Sequence, residues 1–237
     1  KSFTSPFLKK KPFSPSIMSK AEAFHKDQVP VLKCNFTKKF STGIYPYSLM
    51  TSTFFPFKSG NQSYKASMSM QEWCGQVYME LQGQEEFDLL VKSYFEGESQ
   101  NKTLANCLLE DDFWSKIRIN PNAIEVGRKK VLPSLFYLRL KHVDAQAYTC
   151  IVSKKKEGEW TFLELNYPEL ERRLSIKFSS KFPHTIEEWE ESYPDGWGYD
   201  KKVLTTKGKL KKRMLLDYWN KNKNIDAELK KQLQIQY

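Results

Sequence analysis

At 237 residues, 40% apolar and 14% aromatic, the chain has enough hydrophobic surface for a real core, as one large β domain or two small ones. It contains no run of about 18 apolar residues, which excludes a membrane-spanning helix. The formal charge of +10 is uneven: residues 201–237 hold eleven lysines and arginines against three acids, a local +8. A patch of that kind implies one anionic contact surface rather than a generally cationic protein.

The chain begins at Lys1, and the expectation is a processed product whose missing segment held targeting information or a lipid anchor. Residues 1–30 read as an extended leader or tether: Lys9-Lys10-Lys11, Pro6, Pro12, Pro15 and several serines build no packed element, apart from a short helical piece over Ser19–Lys26. From residue 31 the pattern becomes strand after strand. The predicted strands are Val31–Phe40, Tyr47–Phe57, Tyr64–Leu81, Phe87–Glu96, Leu135–His142, Ala147–Ser153, Trp160–Tyr167 and Leu174–Phe178, rich in β-branched and aromatic residues. Leu108–Ile117 breaks the series with helical spacing and early acids, and Asn120-Pro121 stops it. A shorter helix is expected at Thr185–Glu191 and a terminal one at Ile225–Leu233.

Within Tyr64–Leu81 the apolar set changes parity. Ala66, Met68 and Met70 share one face, whereas Val77, Met79 and Leu81 share the other. The expectation is one long strand bent at Glu72–Gly75, and hence a curved sheet. The fold class is therefore mostly β: a curved antiparallel sheet or half-barrel with one or two short helices. Residues 31–200 form the β domain, with a helix near 108–118, and residues 201–237 add a basic strand and a short helix.

The chemistry-bearing residues are sparse. Trp73-Cys74-Gly75 is similar to the opening of a thioredoxin-like redox loop, but no resolving cysteine follows and Gln76-Val77-Tyr78 continues a strand, so Cys74 reads as an ordinary thiol. Cys34, Cys74, Cys107 and Cys150 are too scattered for a zinc site; they either pair in an exported protein or pack as small buried thiols. His25, His142 and His184 make no metal centre, and the usual hydrolase, phosphate-loop and dinucleotide motifs are missing. His184 with Glu187, Glu188, Glu190 and Glu191 is the nearest thing to an acid–base cluster, and reads better as a solvated acidic face. Asp111-Asp112 read as acids at a helix start rather than a metal pair. No catalytic, cofactor-binding or metal-binding residue is assigned.

The candidate partner contacts are Lys207, Lys209, Lys211, Lys212 and Arg213 in the basic stretch, the Trp197 turn and Trp219. A protein partner or an anionic membrane surface fits these residues better than nucleic acid does. A lysine-guarded edge strand with no partner fits them too.

Segments 43–57 (GIYPYSLMTSTFFPF), 71–79 (QEWCGQVYM), 93–98 (SYFEGE), 114–121 (WSKIRINP), 182–191 (FPHTIEEWEE) and 204–207 (LTTK), with Tyr218-Trp219, resemble an exported family of Bacteroidota. That family is described as secreted or lipid-anchored envelope proteins, some labelled as Maf septum-formation inhibitors. The label does not suit this chain: the Maf motif continues from S-x-S-P into two arginines, whereas Ser5-Pro6 continues into F-L-K-K-K. Segments 131–140 and 173–183 are similar to LolA-like envelope proteins, whose curved sheet wraps a helix or a lipid. The resemblance implies a non-enzymatic lipoprotein or secreted subunit of an outer-membrane or surface assembly, located in the cell envelope. Its alternatives are a lipid or lipoprotein carrier lined by Met68, Met70, Val77 and Met79, and a hydrolase working through His184 and Glu187/Glu188.

Overall fold

The computed structural model describes residues 2–14, 19–20, 27–57, 62–196 and 200–234, with the backbone alone for those before residue 27. The chain is mostly β, in two sheets with a few short helices and no closed barrel. The first sheet contains β1 (Ser2–Ser14), β2 (Ser19–Lys20), β3 (Val29–Thr42), β4 (Tyr45–Pro56), β5 (Lys65–Glu72), β6 (Gly75–Gly83), β7 (Glu86–Ser93) and β8 (Gln100–Ala105). Their order is β2-β1-β3-β4-β5-β6-β7-β8, so β3 to β8 form a simple meander. The second contains β9 (Leu108–Leu109), β10 (Gly127–Leu132), β11 (Tyr148–Glu157), β12 (Trp160–Tyr167), β13 (Arg172–Ser179), β14 (Ile186–Asp195) and β15 (Lys202–Lys209). Its order is β15-β14-β13-β12-β11-β10-β9, antiparallel except for the β9–β10 pair. Within the stretch read as a leader, β1 pairs along most of β3. The predicted helical piece at Ser19–Lys26 begins in β2, and its remainder lies outside the described residues.

The parity switch at residues 66–81 has a different cause from a bend. Trp73 and Cys74 form a two-residue turn between β5 and β6, with Glu72 opposite Gly75. Such a hairpin pairs an even-numbered residue with an odd-numbered one, so a single inward face changes parity across it. Ala66 faces Leu81, Met68 faces Met79, and Met70 faces Val77, all buried on that face.

Two helices lie between the sheets: α1 (Phe113–Ile119) and α2 (Leu135–Lys141). The helix expected at Leu108–Ile117 starts later, after β9 and a 3₁₀ turn at Glu110–Asp112. Leu135–His142, predicted as a strand, is α2. Ser134 caps its start by accepting from the Phe136 N–H, and His142 ends it in the left-handed region. Five consecutive residues of α2, Leu135–Arg139, are buried, because the helix is enclosed by both layers. A helix covered on all sides shows no amphipathic stripe, which is why its sequence resembles a buried strand. The acidic stretch Thr185–Glu191, predicted as a helix, belongs mostly to β14, where Glu188 and Glu190 face lysines on neighbouring strands and Glu191 points inwards. At the C-terminus, a 3₁₀ turn at Asn224–Ala227 leads into α3 (Glu228–Gln232).

Aromatic rings join the layers. Phe36 on β3 meets Trp114 on α1 at 5.1 Å between ring centroids, Phe136 on α2 at 5.8 Å and Trp189 on β14 at 6.4 Å. Trp189 can lie flat only because its β15 neighbour is Gly208. A Cβ there would stand 2.2 Å from the indole Nε1 and 2.3 Å from Cε2. Gly208→Ala therefore pushes Trp189 out of the inter-sheet packing and is expected to cost about 1–3 kcal/mol. Urea unfolding monitored by tryptophan fluorescence measures this; an unchanged midpoint would show that the indole does not hold this position.

Candidate functional site

The chemistry of the interior is concentrated in one tripeptide. Glu110, Asp111 and Asp112 are all buried, 2%, 6% and 0% exposed, and each carboxylate is held by a different element. Glu110 points to the second sheet: the Arg172 Nη1 and Nη2 groups donate to it at 2.5 and 2.6 Å, and the Tyr167 hydroxyl donates at 2.7 Å. Asp111 accepts from the Leu135 N–H at 3.1 Å and so helps to cap α2. Asp112 accepts from the Ser63 N–H at 2.7 Å and from its hydroxyl, fixing the connection between β4 and β5. The sequence expectation, acids at a helix start serving its dipole, accounts for none of these bonds.

Arg172 is 1% exposed, and each of its three guanidinium nitrogens donates to a carboxylate. Besides its fork on Glu110, it donates to Glu191 through Nε at 3.0 Å and Nη2 at 2.8 Å. Its guanidinium carbon lies 4.3 Å from the Tyr137 ring centroid and 5.2 Å from that of Tyr167. Glu191 also accepts from the Lys38 ammonium of the first sheet at 3.4 Å. That ammonium lies 5.2 Å from the ring centroids of Phe136 and Trp189 and 5.8 Å from that of Phe36. The result is a buried chain of alternating charge, Glu110–Arg172–Glu191–Lys38, running from the second sheet to the first.

This arrangement had a signal in the sequence. Arg172, Leu174, Ile176 and Phe178 alternate on one face of β13, Trp189 and Glu191 do so on β14, and Cys34, Phe36 and Lys38 on β3. Three charges falling on inward positions require partners in the interior, and they are one another's.

The carboxylates shift in opposite directions. Burial raises the Glu191 carboxyl, but the charges of Lys38 and Arg172 outweigh it and hold the group at about 2. Burial, reinforced by the charge of Glu110, pushes Asp111 up to about 7 against the Leu135 N–H bond. Burial likewise raises the Cys34, Cys107 and Cys150 thiols. All four cysteines are free, and these three pack as inert small side chains. Cys74 is exposed in its hairpin turn, 2.6 Å from the Tyr45 hydroxyl, with no helix start to activate it.

The hub is sealed. The space where Lys38, Arg172, Glu191, Trp114 and Trp189 meet is a cavity of about 10 Å³, room for one water at most. Met68, Met70, Val77 and Met79 are no more than 4% exposed and pack in the same core as both helices. A larger depression of about 560 Å³ lies on the outer face of β6–β8, lined by polar groups such as Glu80, Asp88 and Asn101. Among the described residues no cluster of three histidine, cysteine or carboxylate groups is placed to hold a metal.

Of the predicted contact residues, Lys207 and Lys209 fall on the outer face of the second sheet. Lys207 on β15 pairs with Glu190 at 2.7 Å and Lys209 with Glu188 at 3.4 Å. Lys211 and Lys212 are exposed in the segment that follows, and Arg213 turns back to donate to the Thr185 hydroxyl. Trp219 is 47% exposed and meets Tyr218 edge-on at 5.5 Å. Trp197 lies outside the described residues. The His184–glutamate cluster is not assembled: the His184 ring is bonded to the Ser179 carbonyl at 3.1 Å, and Glu188 lies between Lys177 and Lys209.

Comparison with known protein families, curated proteins and solved structures gives no match for this chain.

Two opposed pH dependences follow from the hub. Asp111 has a raised folded value, so its contribution to stability is present at low pH and lost as pH rises through about 7. Glu191 has a depressed one, so its contribution is present above the ordinary carboxylate range and lost as pH falls towards about 2. Asp111→Asn keeps an acceptor for the Leu135 N–H and removes the titration. Its melting temperature is expected to stay level between pH 5 and 8, where that of the natural chain falls by about 3–8 °C. Parallel falls in both proteins would assign the dependence to another group.

Proposed function

We propose that this protein is a non-enzymatic subunit of a cell-envelope assembly, outer-membrane-associated, periplasmic or surface-exposed, and that it works by binding through its surface. The supporting observation is the filled interior. Both helices occupy the space between the sheets, and Glu110, Arg172, Glu191 and Lys38 satisfy one another, so these charges hold the layers together. What faces outwards is a cationic edge strand followed by Lys211, Lys212 and the Tyr218–Trp219 pair. The envelope location rests on the resemblance of segments 43–57, 71–79, 93–98, 114–121 and 182–191 to exported Bacteroidota proteins. The carrier alternative would need an open concave face, and the methionines that would line it are covered by α1, α2 and the second sheet.

The test is purification from the native envelope in mild detergent, with proteins and lipids both identified by mass spectrometry. The expected outcome is a protein partner in fixed ratio that dissociates at high salt, as contacts through exposed lysines do. A protein recovered alone with stoichiometric lipid would replace this reading with the carrier.

A further inference from the structure

β15 is the last strand of the second sheet, and only one of its sides is paired. All eight of its residues face β14, and among the described residues no strand lies beyond it. An antiparallel strand at an edge directs alternate N–H and C=O groups outwards, which makes it a template for another strand. The outer face carries a charge pattern that stops at this edge. Lys177 on β13 lies opposite Glu188 on β14, which lies opposite Lys209 on β15. Two residues along, Glu190 lies opposite Lys207, and beyond that the Ser192 and Thr205 hydroxyls share a hydrogen bond of 2.8 Å. Across the three strands the sign runs plus, minus, plus, and the next strand out would meet Lys207 and Lys209, whose side chains are still 69% and 72% exposed. On the same outer face Val203 is 63% exposed.

We propose that β15 is a docking edge that takes an acidic, extended segment of a partner protein as a further antiparallel strand. The segment it fits has acids two residues apart opposite Lys209 and Lys207, a hydroxyl or small residue opposite Thr205 and an apolar residue opposite Val203. Cross-strand pairs of opposite charge and of apolar groups each favour that register. A second copy of this chain is a poor occupant, because β15 carries no acid to set opposite Lys207 and Lys209. The same lysines that guard the edge against self-association thus select an acidic partner. The inference rests on the reading of the protein as an assembly subunit.

The probe is a capped nonapeptide with glutamates two residues apart, threonines between and after them, and a valine four residues beyond the second glutamate. It is titrated into the full chain at low salt while backbone amide signals are followed by NMR. The expected result is a saturable shift centred on residues 202–209. Lys207→Ala/Lys209→Ala, both at exposed positions, weakens binding by roughly five-fold or more, the scale of two exposed charge pairs. A peptide N-methylated at the amides that would face β15 does not bind, because the ladder hydrogen bonds are lost. Equal binding of the N-methylated peptide, or of the double variant, would overturn strand addition, as would unperturbed β15 signals at millimolar peptide. That failure would leave the assembly reading standing, since the envelope purification tests it without reference to β15.

Discussion

The structure depends on one buried ion pair. Two charges removed from water cost several kcal/mol each unless their attraction and hydrogen bonds repay it, and the Glu110–Arg172 fork is geometrically suited to doing so. All three nitrogens of the guanidinium donate to a carboxylate, two tyrosine rings flank it, and the hydroxyl of one binds the same Glu110. The ion pair also sets positions. Glu110 sits in a short 3₁₀ turn whose next two residues fix α2 and the β4–β5 connection, so a single turn of chain ties together both helices and both sheets. Lys38 closes the chain of charge from the first sheet, with aromatic rings on three sides.

This arrangement bears directly on function. In the interior, Glu110, Arg172, Glu191 and Lys38 pair with one another, and the space between the sheets is filled by α1 and α2. In the proposed reading, the side chains that act on other molecules are surface ones. They lie along the second sheet's edge, where Lys207 and Lys209 are paired with β14 glutamates yet still exposed, and in the segment after it.

Much of this was legible in the sequence. The strands at Val31–Phe40, Tyr47–Phe57, Ala147–Ser153, Trp160–Tyr167 and Leu174–Phe178 show the alternation or β-branched content that a half-buried strand requires, and all lie within or against observed strands. The parity switch at residues 66–81 was also legible, but a bend and a two-residue hairpin both produce it, and only the pairing of β5 with β6 separates them. Leu135–Lys141 was misread because burial on every side removes the helical period, and Thr185–Glu191 because an acidic run carries little information about its neighbours. The hub was the hardest part. Glu110, Arg172, Glu191 and Lys38 lie far apart in the chain, and each alone reads as a surface charge; inward parity on β3, β13 and β14 was the available signal. The cationic stretch was legible as a surface, but its placement as the sheet's edge required the strand order.

The most direct test of this account is a double-mutant cycle on Glu110→Gln and Arg172→Met, read by urea unfolding. The account predicts that each single change costs about 3–5 kcal/mol, because Arg172→Met leaves Glu110 without a cation and Glu110→Gln leaves Arg172 with Glu191 as its one carboxylate, and that the double variant costs little more than either. A coupling of several kcal/mol would establish the pair as the tie between the layers. Additive costs would contradict it, and would mean that the sheets are held by apolar packing alone.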